Sequence, residues 1–206
     1  MRIIDCGLME YHHSLALQER LVAAIGAGKE EETLLLLQHP PVYTIGRGGN
    51  PANILDPAVR VERVNRGGDV TLHGPGQVVG YPLVNLGRRG RDLHRWLRFL
   101  GEVLVHTLTA FGIKGYRRPG STGVWTGQGK IAFIGVGVRR WVTMHGFSLN
   151  VLPDLAVFSR INPCGIRGCP VTSMTMEGSP HLSEQQVVLQ LKNDFVHLLN
   201  RWLPLA

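Results

Sequence analysis

WTGQGKIAFIGVGVRRWVTMHGFSLNV, residues 125–151, carries the plainest pattern in this chain. Gly127-Gln128-Gly129 separates Trp125-Thr126 from Lys130 to Val138, a run rich in Val, Ile and Phe. Glycine tolerates the backbone of a tight turn, and branched or aromatic side chains suit a pleated surface. The stretch therefore predicts a hairpin feeding a long strand, with Trp141 to Val151 as its next neighbour. Strands in hairpin succession pair antiparallel, whereas strict strand–helix alternation gives a parallel sheet.

The flanking sequence agrees. Arg2 to Cys6, Thr33 to Gln38, Val42 to Ile45, Arg60 to Asn65 and Val78 to Leu86 read as strands, and Val70 to His73 as a short one between glycine turns. Pro40 and Pro41 break the second from the third. Tyr11 to Ile25 reads as a helix ended by Gly26. A second runs from a cap at Asp92 to Phe111, with Trp96, Leu97, Leu100, Leu104 and Leu108 on one face and Gly112 as its stop. In the last helix Ser183 and Gln186 fit a capping box, and Leu182 and Val187 the hydrophobic staple outside it. Three helices and about eight strands, without a repeat or linker, give an α+β fold rather than βαβ alternation, as one domain over 1–206.

At 206 residues and 44% hydrophobic, the chain supports a sizeable core and is not disordered. The longest apolar run, around Thr33 to Leu37, is too short to span a bilayer. MRIIDCGLMEYHH at the start lacks the apolar stretch and cleavage site of a signal peptide. The expected location is the cytoplasm, where thiols stay reduced. Net charge is +7, from 18 Arg and four Lys against 15 acids. Such a surface suits nucleic acid or an acidic protein partner, and charge alone does not choose.

Four places have residues fit for chemistry. NRGGDVTLHGPGQVVGYPL, residues 65–83, sets five glycines among polar side chains. They permit close backbone approach to a ligand, or simply two tight turns. The stretch is neither a P-loop nor a Rossmann fingerprint, since no GK[ST] follows and the order of elements is wrong. Lys130 heads an apolar strand. There it is either a solvated surface residue or, if partly buried, a base whose pKa drops from about 10.4. His145 precedes Gly146, as a ligand contact or a structural hydrogen-bonding residue. In INPCGIRGCP, residues 161–170, Cys164 and Cys169 do not have zinc-site or CxxC redox spacing, and Cys6 is far off. A nucleophile or a small buried side chain remains. Cys164 sits on a Pro-Cys-Gly turn near Arg167, where a thiolate would be exposed and favoured.

Taken together, RGGDVTLHGPGQVVGYPLVNL (66–86), GVWTGQGKIAFIGVGVRRWVTMHGFSLNV (123–151), INPCGIRGCPVTSM (161–174) and the earlier QHPPVYTIGR (38–47) resemble the octanoyltransferase family of lipoate biosynthesis, in matching order over nearly the whole chain. The resemblance implies one α+β domain with a mixed sheet, similar to the catalytic domains of biotin and lipoate protein ligases. It implies transfer of an octanoyl group from octanoyl-acyl carrier protein to a lysine of the lipoyl domains of 2-oxoacid dehydrogenases and of the glycine-cleavage H protein. No ATP, metal, nucleic acid or membrane is implied.

By motif, Cys164 would carry the acyl group and Lys130 would be its acid/base partner within hydrogen-bond reach. The substrate-binding stretches would be Arg66, Gly67, Gly68, Asp69, Val70, Thr71, Leu72 and His73, then Phe133, Ile134 and Gly135, then Gly146, Phe147 and Ser148. Val70, Leu72, Ile131, Phe133 and Ile134 are expected to wall an acyl slot. Leu72 stands where the family usually has Tyr, which bears on the acyl pocket. Arg88, Arg89, Arg117, Arg118, Arg139 and Arg140 are candidates for a basic rim facing acidic partners. The nearest alternatives are an ATP-dependent ligase on the same fold, an amidotransferase that also uses a cysteine, and a binding module without turnover.

Overall fold

The computed structural model describes residues 1–178 and 181–205. Thr33 to Gln38 is apolar at four successive positions, which suits a strand covered on both faces. It forms β2 (Thr33–Gln38), the second strand of a six-stranded sheet ordered β1-β2-β6-β9-β8-β7. The other members are β1 (Arg2–Leu8), β6 (Gln77–Leu83), β7 (Val124–Trp125), β8 (Lys130–Arg139) and β9 (Val142–Asn150). A smaller sheet is ordered β4-β3-β5, from β3 (Val42–Ile45), β4 (Val61–Arg63) and β5 (Val70–His73). The helices are α1 (Tyr11–Gly26), α2 (Leu93–Ala110) and α3 (Glu184–Trp202).

Side chains of β2 divide by parity. Leu34 and Leu36 pack with Trp96, Phe99 and Leu100 of α2 and Phe195 and Leu198 of α3. Leu35 and Leu37 pack with Leu21, Val22 and Ile25 of α1. Val79, Ser148 and Phe133 lie side by side across β6, β9 and β8. Directly opposed residues share a face, so Phe133 is on the α1 face. There it meets Tyr43, Ile45, Val70 and Leu72 of the small sheet. One face of the main sheet thus carries α2 and α3, and the other carries α1 and, over β8, the small sheet.

The α+β reading holds, with one local exception. β1 and β2 are parallel neighbours joined through α1, so the chain opens with a βαβ unit. Parallel neighbours need a long return, and the helix supplies it. The second sheet is a feature the sequence reading did not separate from the first. Caps form as read: Asp92 Oδ1 accepts from Arg95 N at 2.8 Å, and Ser183 and Gln186 close a reciprocal capping box. The strand expected over Val78 to Leu86 stops at Leu83, and a 3-10 turn occupies Leu86–Arg88. Trp141 belongs to a turn rather than to β9. Among the described residues no helix is long and apolar enough to cross a membrane.

Candidate active site

Lys130 opens β8 and is completely buried. Burying an ammonium is costly unless something answers its charge. Its Nζ donates to Cys164 Sγ at 3.2 Å and stands 5.0 Å from the Phe133 ring centre and 5.5 Å from that of Trp125. Backbone pairing sets this meeting. Lys130 N donates to Pro170 O at 2.8 Å, and Thr172 N donates to Lys130 O at 3.0 Å. The segment after Cys164 is therefore stitched to the head of β8. Gly123 packs so closely on the lysine that a Cβ there would lie 2.7 Å from Lys130 Cε.

Cys164 occupies a 3-10 turn at Pro163–Gly165 with φ 56 and ψ 23, a left-handed conformation unusual for a side-chain-bearing residue. Such strain costs on the order of 1–3 kcal/mol and persists only where neighbours enforce it. Asn162 N donates to Asn53 O at 2.7 Å, and Gly165 N to Asn162 O at 3.0 Å. Asn53 Nδ2 donates to Asp69 Oδ2 at 2.8 Å, and that oxygen would sit 2.9 Å from a Cβ on Gly165. Asp69 of the glycine-rich stretch thus braces the cysteine turn.

The cavity in front of Cys164 is lined by Arg66, Gly68, Asp69, Thr71 and His73, by Phe133, Ile134 and Gly135, and by Gly146, Phe147 and Ser148. Three stretches distant in sequence thus converge on one thiol. Gly67, Val70 and Leu72 do not line it. β5 alternates: Thr71 and His73 face the cavity, while Val70 and Leu72 enter the core with Phe158 and Ile161. The expected acyl wall is corrected accordingly, and the Leu72 departure falls on the core side. Ile131 likewise packs with the α2–α3 core. Gly67 acts through its backbone, its N donating to Val136 O at 2.8 Å. Tyr11, Tyr81, Thr122 and His145 also line the cavity. Only His145 carried a signal in the sequence, beside Gly146; the other three arrive through packing.

Arg66 is buried and folds back on the backbone. Its Nη2 donates to Thr44 O at 2.9 Å and to Thr44 Oγ1 at 2.8 Å, while Nε has no partner. Burial pulls its pKa down, opposed by the nearby Tyr11 and Cys164. Burial, with Arg66 nearby, pushes His145 down to about 3 and His73 well below the usual imidazole range. Burial also pushes His39 down to about 4. These rings are neutral at pH 7. Among the described residues the buried Thr71 and Ser148 hydroxyls and the Tyr11 Oη have no partner, leaving polar groups open to a ligand.

All three cysteines are free. Cys169 is half-buried, and burial pushes its thiol up against the opposing pull of Lys130. Among the described residues no group of three His, Cys, Asp or Glu could hold a metal ion. Arg89 leaves the expected basic rim: it is buried, and its Nη2 bonds Glu32 Oε2 at 2.6 Å. Arg88, Arg117, Arg118, Arg139 and Arg140 are exposed.

The fold is that of the catalytic domains of lipoate and biotin protein ligases. Lipoate-protein ligase A, crystallised with ATP, superposes with TM-score 0.76 at 16% identity, covering 98% of this chain and 84% of that one. Biotin protein ligase from Aquifex aeolicus gives TM-score 0.57 at 14% identity, covering 98% and 70%. At these identities the likeness is one of fold. The family model described as the lipoyl protein ligase A/B catalytic domain matches residues 10–196. The octanoyltransferase of Geobacter metallireducens is 62% identical over 204 residues, 99% of this chain and 96% of that protein. The chain belongs to this family, in its octanoyltransferase branch, and is an acyltransferase enzyme.

Proposed function

We propose that this protein transfers an octanoyl group from octanoyl-acyl carrier protein to a lysine of lipoyl domains, in lipoate biosynthesis, through a thioester on Cys164. The observation that supports it best is the 3.2 Å contact between Cys164 Sγ and the buried Lys130 Nζ, facing a cavity with unpartnered hydroxyls. The active nucleophile is a thiolate. Lys130 holds the proton that leaves the thiol. The thiolate attacks the donor carbonyl, the C–S bond to the carrier breaks, and Lys130 returns the proton to the departing thiol. An acceptor lysine then attacks octanoyl-Cys164, gives its proton to Lys130, and leaves as the octanoyl amide with the Cys164 thiol restored. Thioester exchange is nearly isoenergetic, so neither ATP nor a metal enters the cycle.

Each tetrahedral intermediate carries an oxyanion that wants fixed donors. Thr71 Oγ1 and Ser148 Oγ are candidates, being buried, unpartnered and on the cavity wall. Arg66, Gly68, Asp69, His73, Phe133, Ile134, Gly135, Gly146 and Phe147 would surround the substrate. The acceptors would be the lipoyl domains of 2-oxoacid dehydrogenases and glycine-cleavage H protein. The chain would work as one catalytic domain in the cytoplasm.

The fold shared with an ATP-bound ligase favours one alternative, activation of free octanoate by ATP. Incubation with octanoyl-acyl carrier protein and apo-H protein, without ATP, separates the two. The proposal expects a modified acceptor lysine and no transfer by Cys164→Ser. Transfer only from free octanoate plus ATP, with pyrophosphate released, would establish the ligase instead.

A further inference from the structure

Beside the cavity lies a larger cleft of about 450 Å³, between the first turns of α2 and the segment Arg117 to Gly123. Its size is within the range of about 300–1,000 Å³ typical of small-molecule sites. Thr122 and Ile134 line both the cleft and the cavity at Cys164, so the two are contiguous. The same segment touches the reacting lysine through Gly123. Arg118 lies 5.2 Å over the Trp125 ring, which also carries Lys130 Nζ at 5.5 Å. One aromatic ring thus separates a cleft arginine from the reaction centre.

The cleft is basic. Among the described residues Arg98, Arg117 and Arg118 line it, and no carboxylate does. Two acids stand just behind. Glu102 Oε1 binds Arg117 Nε at 2.8 Å, and Asp92 Oδ2 is 4.0 Å from Arg98 Nη2, too far for a hydrogen bond. Arg98 and Arg118 therefore keep their donors for a ligand, and Leu97 and Pro119 offer apolar wall. If Cys164 accepts an acyl group from a carrier-bound thioester, the acyl chain belongs in the cavity, and the rest of the donor's arm must lie elsewhere. That remainder is a flexible amide chain ending in a phosphodiester.

We propose that this cleft holds the phosphate-bearing pantetheine arm of the acyl donor, with Arg98 and Arg118 binding its phosphate. The assignment rests on the function proposed above. It also separates the arginines: Arg139 and Arg140 line a different depression, with α1, and take no part.

The test is inhibition of transfer from octanoyl-acyl carrier protein by 4′-phosphopantetheine and by pantetheine, using the full chain. Wild type is expected to respond to 4′-phosphopantetheine at a concentration on the order of tenfold lower, since charge-assisted contacts to phosphate are the strong ones. In Arg98→Ala/Arg118→Ala the two inhibitors converge. In Arg20→Ala/Lys29→Ala, which removes two exposed charges outside the cleft, the gap remains. Equal or absent inhibition of wild type by both compounds overturns the assignment, as does a gap that persists in the arginine variant. ATP inhibiting as well as 4′-phosphopantetheine would make the cleft a nucleotide site. Absence of any transfer from the carrier would instead sink the proposed function itself.

Discussion

An ammonium taken out of water costs several kcal/mol unless its surroundings compensate. Lys130 has for compensation one sulfur and two aromatic faces. Methionine has similar length, so Lys130→Met fills the space without the charge. Stability should hold, since a side chain of that length refills the space. Transfer should fall about 10²- to 10⁴-fold, the usual worth of a positioned acid/base. Urea titration and a transfer assay on one preparation check both; undiminished transfer would remove Lys130 from the mechanism. Lys130 and Cys164 were legible only as members of a motif set, because spacing says nothing about side chains 34 positions apart. Asn53, whose side chain bonds Asp69 at 2.8 Å and whose backbone receives Asn162 at 2.7 Å, gave no signal. Its partners lie 16 and 109 positions away, and its importance is a property of the folded turn.

Three short strands near proline or glycine were read to the residue. β2, β3 and β5 begin and end where the sequence places them, since HPPV and the glycine pairs leave no other choice. The β8–β9 connection was read one residue early, at 139–140, for the converse reason. Arg139 pairs with Val142, so Arg140 and Trp141 form a two-residue turn, both with positive φ, at 49 and 66. Asn-Gly is the usual pair there, and Arg-Trp announces nothing. Asparagine tolerates the left-handed region better, and Arg140 is exposed. Arg140→Asn should therefore stabilise the protein by about 0.5 kcal/mol, at the low end for such repairs. The denaturation midpoint measures it, and a lower midpoint would show the turn carries no relievable strain. The β9-β8-β7 succession was legible from its hairpin pattern, but the rest of the strand order was not: β6 pairs with β2 and β9, partners that only the closed sheet defines.

Across the molecule, two neutral imidazoles, His73 and His145, line the cavity with Tyr81, and a third, His39, joins them from outside the lining. His39 Nδ1 donates to Met9 O at 2.6 Å, and Nε2 accepts from Tyr81 Oη at 2.8 Å, an arrangement that protonation would break. The ring centres of His39 and His73 are 5.7 Å apart, and those of Tyr81 and His145 6.2 Å. An unfolded histidine titrates near 6.5, whereas His39 and His145 fold with values of about 4 and about 3, and His73 lies well below normal. Below pH 6.5 the unfolded chain binds more protons, so stability falls as pH falls. The stabilisation is complete above pH 6.5. It is lost toward pH 4 at up to roughly 1.4 kcal/mol per pH unit for each ring. Urea unfolding at pH 7.5, 6 and 5 should show a progressive drop; constant stability would mean the rings are charged or exposed.

The acyl-enzyme is the step on which the account stands. The intact mass of the protein should be recorded after brief mixing with octanoyl-acyl carrier protein without ATP, for wild type, Cys164→Ser and Cys169→Ser. An octanoyl adduct on wild type and Cys169→Ser, absent from Cys164→Ser, is the predicted result. An adduct that survives Cys164→Ser and vanishes in Cys169→Ser, or no adduct on any form while transfer proceeds, would contradict it.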